Sequence, residues 1–133
     1  MKILVIDDSR FVQLAIERVL REAGFHTIAA ADGEQGLHAA VQESPDLILL
    51  DVMLPGLPGT SILASLKRNP VTSGIPVIVL SGLSRLDRAR LESEGAEGYL
   101  AKSYLDLDGN CELLIMLIEK TLKKTKRNSP VPA

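Results

Sequence analysis

Three runs of four aliphatic residues constrain this 133-residue chain more than any other feature: Ile3-Leu4-Val5-Ile6, Leu47-Ile48-Leu49-Leu50 and Val77-Ile78-Val79-Leu80. Hydrophobicity that is continuous rather than alternating, over so short a length, marks strands buried on both faces of a parallel sheet. Weaker strands are predicted at His26–Ala30 and Gly98–Ala101.

Helical spacing fills the gaps. Val12, Ala15, Ile16, Val19 and Ala23 form an apolar stripe, with Gln13, Glu17, Arg18, Arg21 and Glu22 assigned to the outer face and Gly24 as the stop. A second helix follows Asp32, its expected N-cap, and ends near Ser44-Pro45. A third spans about Gly59 to Arg68, before Asn69-Pro70; a fourth covers roughly Ser84–Ser93; a fifth runs from about Asn110 to Lys124. The order is strand then helix, five times over, which implies an α/β fold with a five-stranded parallel sheet and helices on both faces. The expected division is a folded unit over 1–124 and a basic, Pro-containing tail or linker stub over 125–133. Whether the chain stands alone or belongs to a longer protein is left open.

Composition excludes several classes. A hydrophobic fraction of 46% supports a core, and aromatics at only 3% make that core aliphatic. One cysteine, Cys111, precludes an intramolecular disulfide and reads as a small apolar residue opening the last helix. No signal peptide is visible, and no apolar run approaches the roughly 20 residues that span a bilayer, so a cytoplasmic location is expected. Residues 1–119 carry 10 Lys and Arg against 17 Asp and Glu, whereas Lys120, Lys123, Lys124, Lys126 and Arg127 lie in a stretch without acids. Cations suit the C-terminal end of a helix, so direct nucleic-acid binding is the weaker reading.

In an open α/β sheet, ligands bind beyond the carboxyl ends of the strands. Asp7 and Asp8 follow the first apolar run, Asp51 the second and Ser81 the third, while Lys102 follows the last predicted strand. Singly, each is an ordinary cap, turn or surface residue; their arrival on one edge is the informative signal. Two carboxylates about 4 Å apart repel by roughly 4 kcal/mol at an effective dielectric of 20. Lys102 offsets only part of that charge. A hard divalent cation would offset the rest, and Mg²⁺ uses carboxylates, waters and a phosphate oxygen. Neither His nor Cys lies among these residues, which argues against zinc and copper.

Taken together, Asp7-Asp8, the stretch Asp51-Val52-Met53-Leu54-Pro55-Gly56-Leu57-Pro58-Gly59, Ser81-Gly82 and Tyr99-Leu100-Ala101-Lys102 resemble the signature of the bacterial two-component response-regulator receiver domain over about residues 1–124. That resemblance implies a flavodoxin-like, doubly wound (βα)₅ fold with strand order 2-1-3-4-5. It implies that Asp51 is the phospho-acceptor, supplied by a sensor histidine kinase or phosphotransfer protein. Mg²⁺ would be held by Asp8, Asp51 and the backbone carbonyl of Met53, with Asp7 acting through a bound water. Lys102 and Ser81 would contact phosphoryl oxygens, and Gly82 would leave the site open. Ser81 and Tyr99 would form the switch, Tyr99 turning inward as Ser81 moves and reshaping the face of the fourth helix, fifth strand and fifth helix. That face is the expected surface for a homodimer, and output would pass to a downstream protein or fused domain. No turnover of an independent substrate is expected.

Some positions depart from the family pattern. Ser103 follows Lys102 where proline is usual; a cis bond before a non-proline costs about 3–4 kcal/mol, so a trans bond there would redirect the following loop. Ser81 stands where threonine is commoner. Met53 and Leu83, both apolar, occupy places that flank the path of attacking water, which implies a comparatively long-lived acyl phosphate. Polar side chains placed at both positions are expected to accelerate its decay, measured as loss of the phosphorylated species with time. His26 and His38 lie away from the acidic edge and read as structural or surface residues. Three rivals compete: a phosphorylation-independent scaffold, a phosphatase of the haloacid-dehalogenase type, and a flavodoxin-like nucleotide module. The second lacks an acid at Met53; the third lacks the glycines and amides expected where Asp7-Asp8-Ser9-Arg10 stands.

Overall fold

The aliphatic runs lie side by side in the computed structural model, which describes residues 1–51, 59–81, 95–101 and 112–128, with side chains at all of these except 59, 60, 81, 101 and 125–128. Along the chain come β1 (Lys2–Ile6), α1 (Arg10–Glu22), β2 (His26–Ala30), α2 (Gly33–Glu43), β3 (Leu47–Asp51), α3 (Gly59–Arg68), β4 (Val77–Ser81), β5 (Gly98–Ala101) and the C-terminal helix α4 (Glu112–Asn128). The strands form one parallel sheet in the order β2-β1-β3-β4-β5. The fourth helix expected at 84–93, and Cys111, lie outside the described residues.

Alternation along each strand divides the core in two. Leu4, Ile6, Ile48, Leu50, Val77 and Val79 pack with Ala40 of α2 and Ile62, Leu63 and Leu66 of α3. Ile3, Val5, Leu47, Leu49, Ile78 and Leu80 pack with Ile16 and Leu20 of α1 and Leu114, Ile118 and Leu122 of α4. Continuous apolar runs are therefore required: each successive residue enters a different apolar layer.

Local chemistry sets the helix ends. Ser9 caps α1 by accepting from the Val12 amide, and Asp32 caps α2 by accepting from Gln35. After α1, Gly24 adopts φ +93°, a left-handed conformation that glycine takes without a Cβ penalty. Beyond α2, Ser44 is left-handed at φ 45° and the buried Pro45 follows.

Two expectations need correction. Gln13 was placed on the outer face of α1, yet it is only 3% exposed, whereas Ala23 of the apolar stripe is exposed. The reason is position: Gln13 sits in the first turn, over the strand ends, where backbone carbonyls offer polar partners. Helix α4 also continues to Asn128, past the expected end at Lys124. Lys123, Lys124, Lys126 and Arg127 are good helix formers, and no glycine or proline intervenes. Within the apolar run of α4, Leu114 and Ile118 are buried while Leu113 and Met116 are exposed.

At the amino end of β4, Glu97 joins three elements. Its Oε1 lies 2.7 Å from Lys67 Nζ and its Oε2 accepts from the Val77 amide at 2.6 Å, while Lys67 also donates to the Ile75 carbonyl. With side chains 17% and 36% exposed, this pair is less open to solvent than Arg18–Glu22 at 79% and 69%. Glu97→Ala is expected to destabilise the fold by about 1 kcal/mol because an amide loses its acceptor. Glu22→Gln should change it by less than about 0.5 kcal/mol. Urea unfolding of both variants checks the contrast.

Candidate functional site: an acidic cluster at the carboxyl edge

Ile6 of β1 pairs with Leu50 of β3, and one step further along the same edge stand Asp7 and Asp51. Asp7 is fully buried, Asp51 is 1% exposed, and Asp8 faces solvent. One carboxylate oxygen from each of Asp7, Asp8 and Asp51 lies within 4.8 Å of the others. The edge thus concentrates three carboxylates, two buried and one exposed.

The turn between β1 and α1 holds this geometry. The Asp7 amide donates to the Ala30 carbonyl at 3.1 Å, and Asp7 Oδ1 accepts from the Ser9 amide at 2.9 Å. The Gln13 amide then donates from Nε2 to the Asp7 carbonyl at 2.5 Å and the Ala30 carbonyl at 3.2 Å. Helical spacing carried the missed signal: Gln13 lies three residues before Ile16 and seven before Leu20, on their buried face.

Like charges in so small a space repel, by roughly 4 kcal/mol for a pair at 4 Å with an effective dielectric of 20. A donor set made only of carboxylate oxygens suits a hard cation that binds oxygen, not one that prefers nitrogen or sulfur.

Of the other predicted site residues, Ser81 ends β4 and pairs with Ala101, but its side chain is outside the described set. Lys102, Met53 and Leu83, together with the Lys102–Ser103 bond, also lie outside it. Tyr99 is half-buried on β5, paired with Val79 and packed against the core layer shared with α2 and α3. His26 and His38 are both exposed and lie off the acidic edge, on β2 and α2. Among the described residues, no helix is long and apolar enough to cross a membrane.

A doubly wound parallel sheet of order 2-1-3-4-5 with a carboxylate cluster at its carboxyl edge defines a flavodoxin-like domain whose binding edge suits a cation. The profile of the response regulator receiver domain matches residues 3–108. Over 127 residues the chain is 34% identical to the DNA-binding dual master transcriptional regulator RpaA of Synechocystis, covering 95% of this chain and 51% of that protein. It is 35% identical over 108 residues to sporulation initiation phosphotransferase F of Bacillus subtilis, covering 80% and 85% respectively. A receiver domain crystal structure from Clostridium thermocellum superposes with a TM-score of 0.83 at 30% identity, covering 96% of this chain and 98% of that one. The chain belongs to the response-regulator receiver domain family of two-component systems. It spans about half the length of the transcriptional regulator it matches and most of the phosphotransferase.

Proposed function

We propose that this domain is a phosphorylation switch in which Asp51 accepts a phosphoryl group from a phosphohistidine on a sensor histidine kinase or phosphotransfer protein. The observation that carries this reading is the meeting of Asp7, Asp8 and Asp51 at the carboxyl edge of the sheet. An Asp51 carboxylate oxygen forms the new P–O bond as the donor's P–N bond breaks, and the imidazole departs with the electron pair. Asp8, Asp51 and the Met53 carbonyl would hold Mg²⁺, with Asp7 contributing through water. Bound there, Mg²⁺ offsets the charge on the phosphoryl oxygens and on the clustered carboxylates. Lys102 pairs with one phosphoryl oxygen and Ser81 donates to another, which suits a reaction governed by positioning and charge neutralisation.

The phosphoryl group adds about −1.5 to −2 charges and three acceptor oxygens. Ser81 moves toward it, and Tyr99 turns into the vacated space. The change reaches the surface of β5 and α4, where a second copy or an output partner binds. The protein is then the substrate of its own phosphorylation and dephosphorylation, acting in the cytoplasm through a fused output domain or a separate partner. The segment beyond α4, residues 129–133, serves as a linker.

Intact mass after incubation with a small acyl-phosphate donor, with and without Mg²⁺, tests this reading. A Mg²⁺-dependent gain of one phosphoryl group is the expected result. A folded wild-type chain that takes up none, from this donor or from a phosphorylated histidine kinase, would favour the phosphorylation-independent scaffold.

A further inference from the structure

Gln13 is a buried primary amide on a helix face otherwise occupied by Ile16 and Leu20. Burying an amide without partners costs about 1–3 kcal/mol in proteins, so its bonds decide what it does there. Both are donations from one nitrogen, to the carbonyls of Asp7, the first residue past β1, and Ala30, the last of β2. Two acceptors on one NH₂ group fix its orientation, because the amide oxygen would repel both. The Ala30 carbonyl also accepts from the Asp7 amide, so Gln13 clasps a junction the backbone has already begun.

We infer that Gln13 is a positioning residue for the cation site: by holding the Asp7 carbonyl, it locks the peptide plane between Asp7 and Asp8 and sets how their carboxylates meet Asp51. The inference rests on the cation-dependent reading of the acidic cluster. Asp7 is held on both sides of its Cα, with its amide on Ala30 and its carbonyl on Gln13, while its Oδ1 takes the Ser9 amide. Asp8 is exposed, so the direction in which its side chain leaves the backbone depends on that peptide plane. Without Gln13 the plane can rotate, and an arrangement that brings three oxygens within 4.8 Å becomes one among several. Cation affinity then falls because the carboxylates must be gathered during binding, although no cluster carboxylate has been altered.

Calorimetric titration of Mg²⁺ into the full chain tests this. Gln13→Met keeps the length and removes both donors. Gln13→Asn keeps the amide but is one methylene short of the two carbonyls. The Mg²⁺ dissociation constant is expected to rise about tenfold in each, the scale found when groups orienting metal ligands are lost. Glu97→Ala, at the opposite end of the sheet, serves as the stability control: it should lower Tm and leave the dissociation constant unchanged. A purely structural role for Gln13 predicts the same pattern for the Gln13 variants, and that result overturns the inference. Should Gln13→Met fail to fold, the Gln13→Asn titration decides alone. A wild-type chain without Mg²⁺ binding overturns both this inference and the metal part of the proposed function. Wild-type binding that the Gln13 variants match overturns the inference only.

Discussion

Asp51→Asn is expected to abolish phosphoryl incorporation and, without divalent cation, to raise the melting temperature. The first effect follows because a neutral amide oxygen is too weak a nucleophile to displace a histidine from phosphorus, whatever the remaining site provides. The second follows from the charge the cluster carries. Asp51 is 1% exposed and lies beside the buried Asp7 and the exposed Asp8. Removing its charge relieves two repulsive pairs, each bounded by roughly 4 kcal/mol at 4 Å and an effective dielectric of 20. Solvent at Asp8 screens part of this, so a net gain of about 1–2 kcal/mol is expected, which is several degrees in Tm for a domain of this size. Mg²⁺ should raise the Tm of the wild type by mass action and raise that of Asp51→Asn less. Mass spectrometry with thermal melts over a Mg²⁺ series checks both. A phosphoryl adduct on the variant at the wild-type level would exclude Asp51 as acceptor. A lower Tm without cation would show that what Asp51 contributes to the fold outweighs the repulsion.

The strands and the acidic edge were legible in the sequence for one physical reason. A strand covered on both faces is apolar along its length, so the first polar residue after an apolar run marks the carboxyl edge of the sheet. Asp7 and Asp51 are those residues, and parallel pairing of β1 with β3 brings them together. Strand order was legible only through the resemblance, since a run such as Leu47–Leu50 carries no label for its neighbours. The burial of Gln13 is not legible in its polarity, because strand ends present carbonyls to the adjacent helix turn and a polar side chain is satisfied there without solvent. The end of α4 is one turn later than the expected Lys124 because Thr125, Lys126 and Arg127 carry no stop signal, and basic residues suit the last turns of a helix. The roles of Ser81 and Lys102 depend on side chains outside the described set and rest on the resemblance alone.

Gly36→Ala is expected to destabilise the domain by about 1–3 kcal/mol, the range for overpacking a core, although helix propensity favours the opposite result. In an exposed helix this substitution gains about 0.5–1 kcal/mol. Gly36 lies inside α2 and is buried against β1. A Cβ there would stand 2.5 Å from Ile6 Cδ1, 2.9 Å from Cγ1 and 3.0 Å from Cγ2. The Cδ1 contact alone could be relieved by a rotamer change. The other two involve atoms bonded directly to Cβ of a branched side chain, which is stiff at χ1. Ile6 is fully buried among Leu4, Ile48 and Leu50, so relief requires α2 to move away from the sheet or β1 to shift. A shift of β1 reaches the site, because Ile6 immediately precedes Asp7. Gly36→Ala should therefore weaken Mg²⁺ binding as well as stability, whereas a movement confined to α2 would affect stability alone. Ile6→Val removes Cδ1, so the double variant should be more stable than the two single losses predict, with a coupling of about 0.5–1 kcal/mol, within the range for residues in contact. Additive losses in urea unfolding would mean that the added methyl is accommodated elsewhere than against Ile6.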